Sequence, residues 1–188
     1  IYHSITNFCI TDMSSVYLDI LKDRLYCSAS RAQERRAAQT VIYHMLKGLL
    51  ELLAPVLSFT ADEAWQLLPG TKLQSVHLSA FPMPREEYDD AALAGRWETL
   101  LKLRDIVLKE LESARAGKQI GNSLEAAIRI DAPIKLHELL RQYSSMLADI
   151  FIVSRVELHS QDTAPDAGLE KQIEAAAVTV LRAEGNKC

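Results

Sequence analysis

RAQERRAAQTVIYHMLKGLLELLAPVLSFTADEAW, residues 31–65, is the stretch on which the fold turns. Ala38, Val41, Ile42, Met45, Leu46, Leu49, Leu50 and Leu53 recur at three- and four-residue steps. That period predicts one amphipathic helix from Arg31 to Leu53. At about 1.5 Å per residue it spans roughly 35 Å, the width of a small domain. Pro55 ends or kinks it. Thr60 is then expected to cap a second helix, with Glu63 closing a capping box. Arg31, Arg35 and Arg36 crowd the first turns, where the helix dipole favours acids. Arg36, Thr40, Tyr43 and Lys47 share the face opposite the apolar one. Two readings fit these residues: a solvated helix end with Glu34 as partner, or a site for an outside anion such as RNA phosphate.

Working outward, the helical signal dominates on both sides. Ile1 to Cys9 reads as the end of a helix. Thr11 or Asp12 is placed to cap a second, running from Met13 to Tyr26 with Val16, Leu18, Ile20, Leu21 and Leu25 as its apolar side. Cys27 to Ser30 links it to the Arg31 helix. Leu68-Pro69-Gly70 stops the helix that carries Trp65. Val76 to Phe81 is expected to be extended, and Pro82 and Pro84 keep Phe81 and Met83 out of helix. Asp89 and Asp90 start another helix to Ala116, with Leu93, Trp97, Leu100, Leu101, Leu108 and Leu111 as its stripe. Arg104 falls inside that stripe, which predicts a partly buried guanidinium with Asp19 or Asp23 as partner. Gly117 is the expected C-cap.

After Gly117 the period changes. Leu124, Ala126, Ile128 and Ile130 alternate, as in a strand. Pro133 opens a helix to Ala148. Phe151 to Leu158 and Ile173 to Leu181 read as two more strands, separated by a polar loop from Ser160 to Gly168. The predicted fold is mainly α: an antiparallel helical bundle over residues 1–119, followed by a small β-α-β-β unit over 120–188.

Composition narrows the function. The 188 residues carry a formal net charge of −4, so a nucleic-acid site must be a local patch on an acidic body. Three cysteines, Cys9, Cys27 and Cys188, form no pattern and point to a reducing cytosol. No run of about 18 apolar residues exists to span a membrane. The chain opens at Ile1 already in helical pattern, as expected of a piece of a longer protein. There is no P-loop, dinucleotide fingerprint, HExxH pair or nucleophile elbow. The five histidines lie far apart. Asp19 and Asp23 sit one helical turn apart, a spacing that suits acid–base work, but ion pairs with Lys22, Arg24 or Arg104 account for them better. Trp65 and Trp97 could stack RNA bases, yet both fall on apolar faces and are expected in cores.

Several runs resemble a known family. Asn7-Phe8-Cys9, Asp12-Met13-Ser14 and Tyr17-Leu18-Asp19-Ile20-Leu21-Lys22-Asp23-Arg24-Leu25-Tyr26 resemble the opening of the anticodon-binding domain of bacterial isoleucyl-tRNA synthetases, which are class I aminoacyl-tRNA synthetases. Arg35 to Thr40, Leu53-Ala54-Pro55, Phe59 to Trp65 and Ile120 to Ala126 continue the likeness, which covers essentially the whole chain. The YLDILKDRLY run is the most specific. Valyl and leucyl enzymes share the helical bundle and the Ala-Pro turn but differ there.

The resemblance implies a piece of a cytoplasmic, monomeric ligase that joins isoleucine to its tRNA using ATP and Mg. The HIGH and KMSKS catalytic signatures are absent, so the piece is expected to bind isoleucine tRNAs without catalysing, and to need no cofactor itself. Spacing and resemblance together make Lys22, Arg24, Arg31, Arg35, Arg36 and Lys118 the RNA-facing candidates, although a carboxylate such as Asp19 or Asp23 would hide Arg24. Cys188 resembles the first ligand of the family's C-terminal zinc module; one thiolate cannot build a four-ligand site, so no zinc is expected here. Two alternatives stand beside this reading: the same region of a valyl or leucyl enzyme, and a helical protein-interaction module without RNA.

Overall fold

The computed structural model describes residues 2–161 and 168–183, and the chain divides into two compact units, Ile1–Asp89 and Asp90–Cys188. It is mainly helical with one small mixed sheet.

In the first unit, α1 (Tyr2–Asn7) runs directly into a π-helical stretch, Phe8–Leu18. The expected start at Thr11 or Asp12 does not occur. Asn7 at the junction is itself helical, and the Thr11 hydroxyl turns back to Asn7 Oδ1 at 3.3 Å. With no break in the helical backbone there is no orphan amide there to cap. A short α2 (Lys22–Tyr26) follows, then α3 (Gln33–Leu53), which starts two residues later than the periodicity predicted. α4 (Ser58–Leu67) starts two residues before Thr60, so the Thr60–Glu63 capping box does not form. The tight turn after Pro55 explains the shift: the amides of Val56 and Leu57 both donate to Leu53 O, and Leu57 is already the capping position.

The stripe on α3 is wider than the cover this unit gives it. Leu50 and Ala38 are buried, whereas Val41 and Leu46 remain exposed. Leu50, Ala54, Ala61, Trp65, Leu68 and Val76 form a small core. Trp65 is the keystone at 2% exposure, and its indole Nε1 donates to Leu73 O at 2.9 Å. The expected extended piece after Ser75 is a 3-10 turn, Val76–Leu78, because Ser75 caps it: the His77 amide donates to Ser75 Oγ at 3.2 Å.

The second unit opens with α5 (Ala91–Ala116), capped by Asp90, whose carboxylate accepts from the Leu93 amide at 2.8 Å. The buried line runs Leu100, Leu103, Val107, Leu111 and Ala114, a corrected stripe that leaves Leu93 at the surface. Gly117 is the C-cap, but Lys118 takes the left-handed conformation, with φ 57. β1 (Ala126–Pro133) is the middle strand of the order β2-β1-β3. α6 (Ile134–Gln142) and α7 (Leu147–Phe151) carry the crossover to β2 (Arg155–Gln161), which is parallel to β1. α8 (Leu169–Ala175) leads to β3 (Ala177–Arg182), antiparallel to β1 with Ile128 opposite Val180.

Three sequence expectations change here. The helix from Pro133 stops at Gln142 instead of Ala148. Phe151 belongs to α7, where it is buried with Leu147 and Ile150 at helical spacing, so the second strand starts only at Arg155. Residues 173–175 are helical, because α8 turns Gln172 and Ile173 inward; the Leu136 amide donates to Gln172 Oε1 at 3.0 Å. Arg104 is buried, as its stripe predicted. Its Nε donates to a backbone carbonyl, Ile150 O, at 3.0 Å.

Candidate nucleic-acid interface

α2 and the start of α3 pack together and carry four of the six candidate cations, and Arg31 lies in the link between them. Lys22 is exposed and pairs with Asp19 at 2.6 Å. Arg24 is half-buried, close enough for its charge to act on the Tyr17 phenol, whose pKa burial pushes up and Arg24 pulls back. Arg31 and Arg36 are exposed.

Arg35 is different. Its Nη1 donates to Ser28 O at 2.9 Å, and its Nε is buried without a hydrogen-bond partner. The side chain therefore ties the α2–α3 link to α3, and part of its charge faces inward. Lys118 is exposed at the end of α5 in the second unit. Asp23 hydrogen-bonds the exposed Cys27 thiol and, with its charge, holds that thiol above the ordinary range.

The polar face of α3 organises two concavities. A small groove of about 370 Å³ is lined by Ser30, Arg36, Gln39, Thr40 and Tyr43. Thr40 and Tyr43 also line a cleft of about 1220 Å³, which continues over Met45, Lys47 and Glu51 and is closed by the segment 71–88. Trp65 and Leu68 are part of its wall, and Phe81, Pro82, Met83, Arg85 and Tyr88 form its outer lip. Phe81 and Tyr88 are 62% and 67% exposed. The Arg85 guanidinium sits 5.7 Å from the Tyr88 ring centre, donates to its hydroxyl at 3.2 Å, and has Glu87 at 3.8 Å.

Hydrogen bonds fix the closing segment. Ser75 Oγ and the Val76 amide both donate to Asp62 Oδ1, at 2.7 and 3.0 Å. These bonds hold the Asp62 carboxyl below its usual pKa, the serine first. Lys72 Nζ donates to Gln66 O at 2.8 Å and to Leu68 O, capping the end of α4. Gly70 makes the turn at φ +91, a conformation that suits glycine.

The sequence singled out Arg36, Thr40, Tyr43 and Lys47 as one face, and they do line these concavities. It missed Phe81, Met83 and Tyr88. The available signal was the Phe81-Pro82-Met83-Pro84 run, in which large apolar residues occur without the period of a strand or helix.

Among the described residues no group of three or more His, Cys, Asp or Glu could hold a metal, and no helix is long and apolar enough to cross a membrane. Cys188, the expected zinc ligand, lies outside the described residues.

Residues 1–130 match a protein family described as the anticodon-binding domain of tRNA ligase. Along its whole length the chain is similar to curated proteins named isoleucine–tRNA ligase. That of Natranaerobius thermophilus is 42% identical over 192 residues, that of Syntrophotalea carbinolica 46% over 189, and that of Geobacter sulfurreducens 44% over 188. In each case 100% of the chain is covered, and the chain spans about a fifth of the relative, 20–21%.

Proposed function

The chain belongs to the family of tRNA-ligase anticodon-binding domains, and from that premise we propose that it is the anticodon-recognition region of an isoleucine–tRNA ligase. The observation that carries the amino-acid assignment is the similarity, over 100% of the chain, to relatives of that name. The parent protein then joins isoleucine to its tRNA with ATP and Mg, in the cytoplasm and as a monomer, while this region contributes binding and no bond-making step. The recognition domain comprises residues 1–119 in an antiparallel bundle, and 120–188 is a C-terminal appendage. The family match reaching residue 130 supports counting α5 with the recognition domain, although its contacts are with the sheet.

Lys22, Arg24, Arg31, Arg35, Arg36 and Lys118 are proposed to face the RNA. Arg31 and Arg36 have the best claim: both are exposed, Arg31 just before α3 and Arg36 in its first turns, where the dipole disfavours cations and an outside phosphate would compensate them. Phosphate contacts carry affinity and little sequence information. Replacing Arg36 with Ala should therefore weaken binding to matched and mismatched tRNA about equally, and flatten the salt dependence by about one unit per lost contact. Tight binding of isoleucine tRNA over valine and leucine tRNAs in a gel shift supports the assignment. Equal binding of all three would remove the isoleucine assignment, and no binding at low salt would favour a protein-interaction module.

A further inference from the structure

We infer that Ser30 is a phosphorylation site: its phosphate seats against Arg36 in the groove at the start of α3 and, given the RNA-binding reading on which this part rests, withdraws that arginine from RNA.

The groove of about 370 Å³ is lined by three hydroxyl-bearing residues, Ser30, Thr40 and Tyr43, together with Arg36 and Gln39. The three hydroxyls differ in what holds them. Thr40 Oγ1 is turned back on its own helix, donating to Arg36 O at 2.9 Å. Tyr43 is half-buried and packs against the small core of the first unit. Ser30 is exposed in the irregular link between α2 and α3, and its hydroxyl has no hydrogen bond among the described residues. Ala29 and Arg31 on either side are exposed too, so a modifying enzyme reaches the hydroxyl without opening either helix.

Charge supplies the reason for a phosphate there. Arg31 just before α3 and Arg36 in its first turns are exposed where the dipole disfavours cations. Ala32, the N-cap of α3, offers the first amides no side-chain acceptor. A phosphoserine carries about −1.5 to −2 charge at pH 7 and three acceptor oxygens, so one group offsets both arginines. The serine hydroxyl by itself brings no charge.

The reaction needs an arginine-directed serine kinase and a nucleoside triphosphate. Ser30 Oγ attacks the γ-phosphorus. The new O–P bond forms as the bond to the β–γ bridging oxygen breaks, the hydroxyl proton passes to the kinase's base, and the nucleoside diphosphate leaves. The product occupies Arg36 and repels the RNA backbone with its own charge.

The test uses the whole chain with phosphoserine introduced at position 30 during translation, beside the unmodified chain, and Arg36→Ala in both forms. In a phosphorus NMR titration the second ionisation of the phosphoserine, at about pH 6 in a free peptide, should fall in the parent and return in Arg36→Ala. No shift in the parent overturns the seating, whether or not RNA binds. Isoleucine tRNA should bind the phosphorylated chain about ten-fold or more weakly than the unmodified one, with a salt dependence flatter by about one to two units. Equal binding overturns the regulation and leaves the anticodon-binding reading standing. If the unmodified chain binds no tRNA, that reading and the regulation fall together, while the titration still decides the seating. Finally, ATP and an arginine-directed serine kinase should place phosphate on Ser30 of the unmodified chain. Phosphate found only on Ser28 or Thr40, or none at all, overturns the choice of acceptor.

Discussion

At the scale of single residues, Asp62 sets a pH limit on the first unit. Its folded pKa is depressed by Ser75 and Val76. A depressed carboxylate gives stability that is fully present above its ordinary value and disappears as pH falls through the lowered one. The first unit should therefore loosen on acidification below the usual carboxylate range, with Trp65 fluorescence reporting it. Asp62→Asn should remove that acid limb and lower the melting temperature at neutral pH. An unchanged acid limb would mean that the clamp carries no stability. Arg35 and Arg36 should also separate: Arg35→Ala loses its bond to Ser28 O and should lower stability, whereas the exposed Arg36→Ala should not. In the second unit, Arg104→Leu takes a donor from the buried Ile150 carbonyl, which alone should cost about 1–3 kcal/mol in chemical denaturation. A variant as stable as the parent would show that this carbonyl finds another donor.

At the scale of elements, Gln172 is the pin that makes α8 a helix. Its side chain is 4% exposed and accepts from the first turn of α6. Gln172→Leu should leave the Leu136 amide unpaired and cost about 1–3 kcal/mol, read by urea unfolding. That pin also explains why α8 was hidden in the sequence. Ile173 to Leu181, with Val178, Thr179 and Val180, has β-branched propensity at its end, and nothing local says that Gln172 faces a core. Where pattern and burial coincide the sequence was legible: α3 and α5 by their period, β1 by its alternation, the stop at Gly70, the cap at Asp90. Phe151 was misread because strand and buried-helix patterns are alike over a few residues. The polar face of α3 was legible as a face. The aromatic lip was not, because Phe81 and Tyr88 reach the cleft only through the path of an irregular segment.

At the scale of the whole molecule, the two units have unequal cores. The first rests on a cluster of six buried apolar residues, Trp65 among them, the second on a larger cluster from Leu100 to Ile173. Hydrophobic stabilisation scales with buried area, so unfolding in urea should be biphasic, the first unit going first. Trp65 and Trp97 stand one in each unit, and variants keeping a single tryptophan should give separate midpoints; coincident midpoints would mean that the units unfold as one. The whole chain should show no isoleucine-dependent pyrophosphate exchange, since it carries neither nucleotide-binding signature.

The middle place of β1 in the sheet has a consequence for how the chain comes off the ribosome. Its partners are Arg155 to Gln161 on one edge and Ala177 to Arg182 on the other, both made long after it. Closing such long loops precedes the reward of pairing, which slows folding. During synthesis β1 must wait with both hydrogen-bonding edges open, Ile128 and Ile130 among its apolar residues. The first unit, whose contacts are nearer in sequence, can already be complete. Nascent chains arrested between Pro133 and Arg155 are therefore the ones expected to recruit chaperones or pair wrongly with a neighbour, and those arrested past Arg182 the first expected to be free of that hazard.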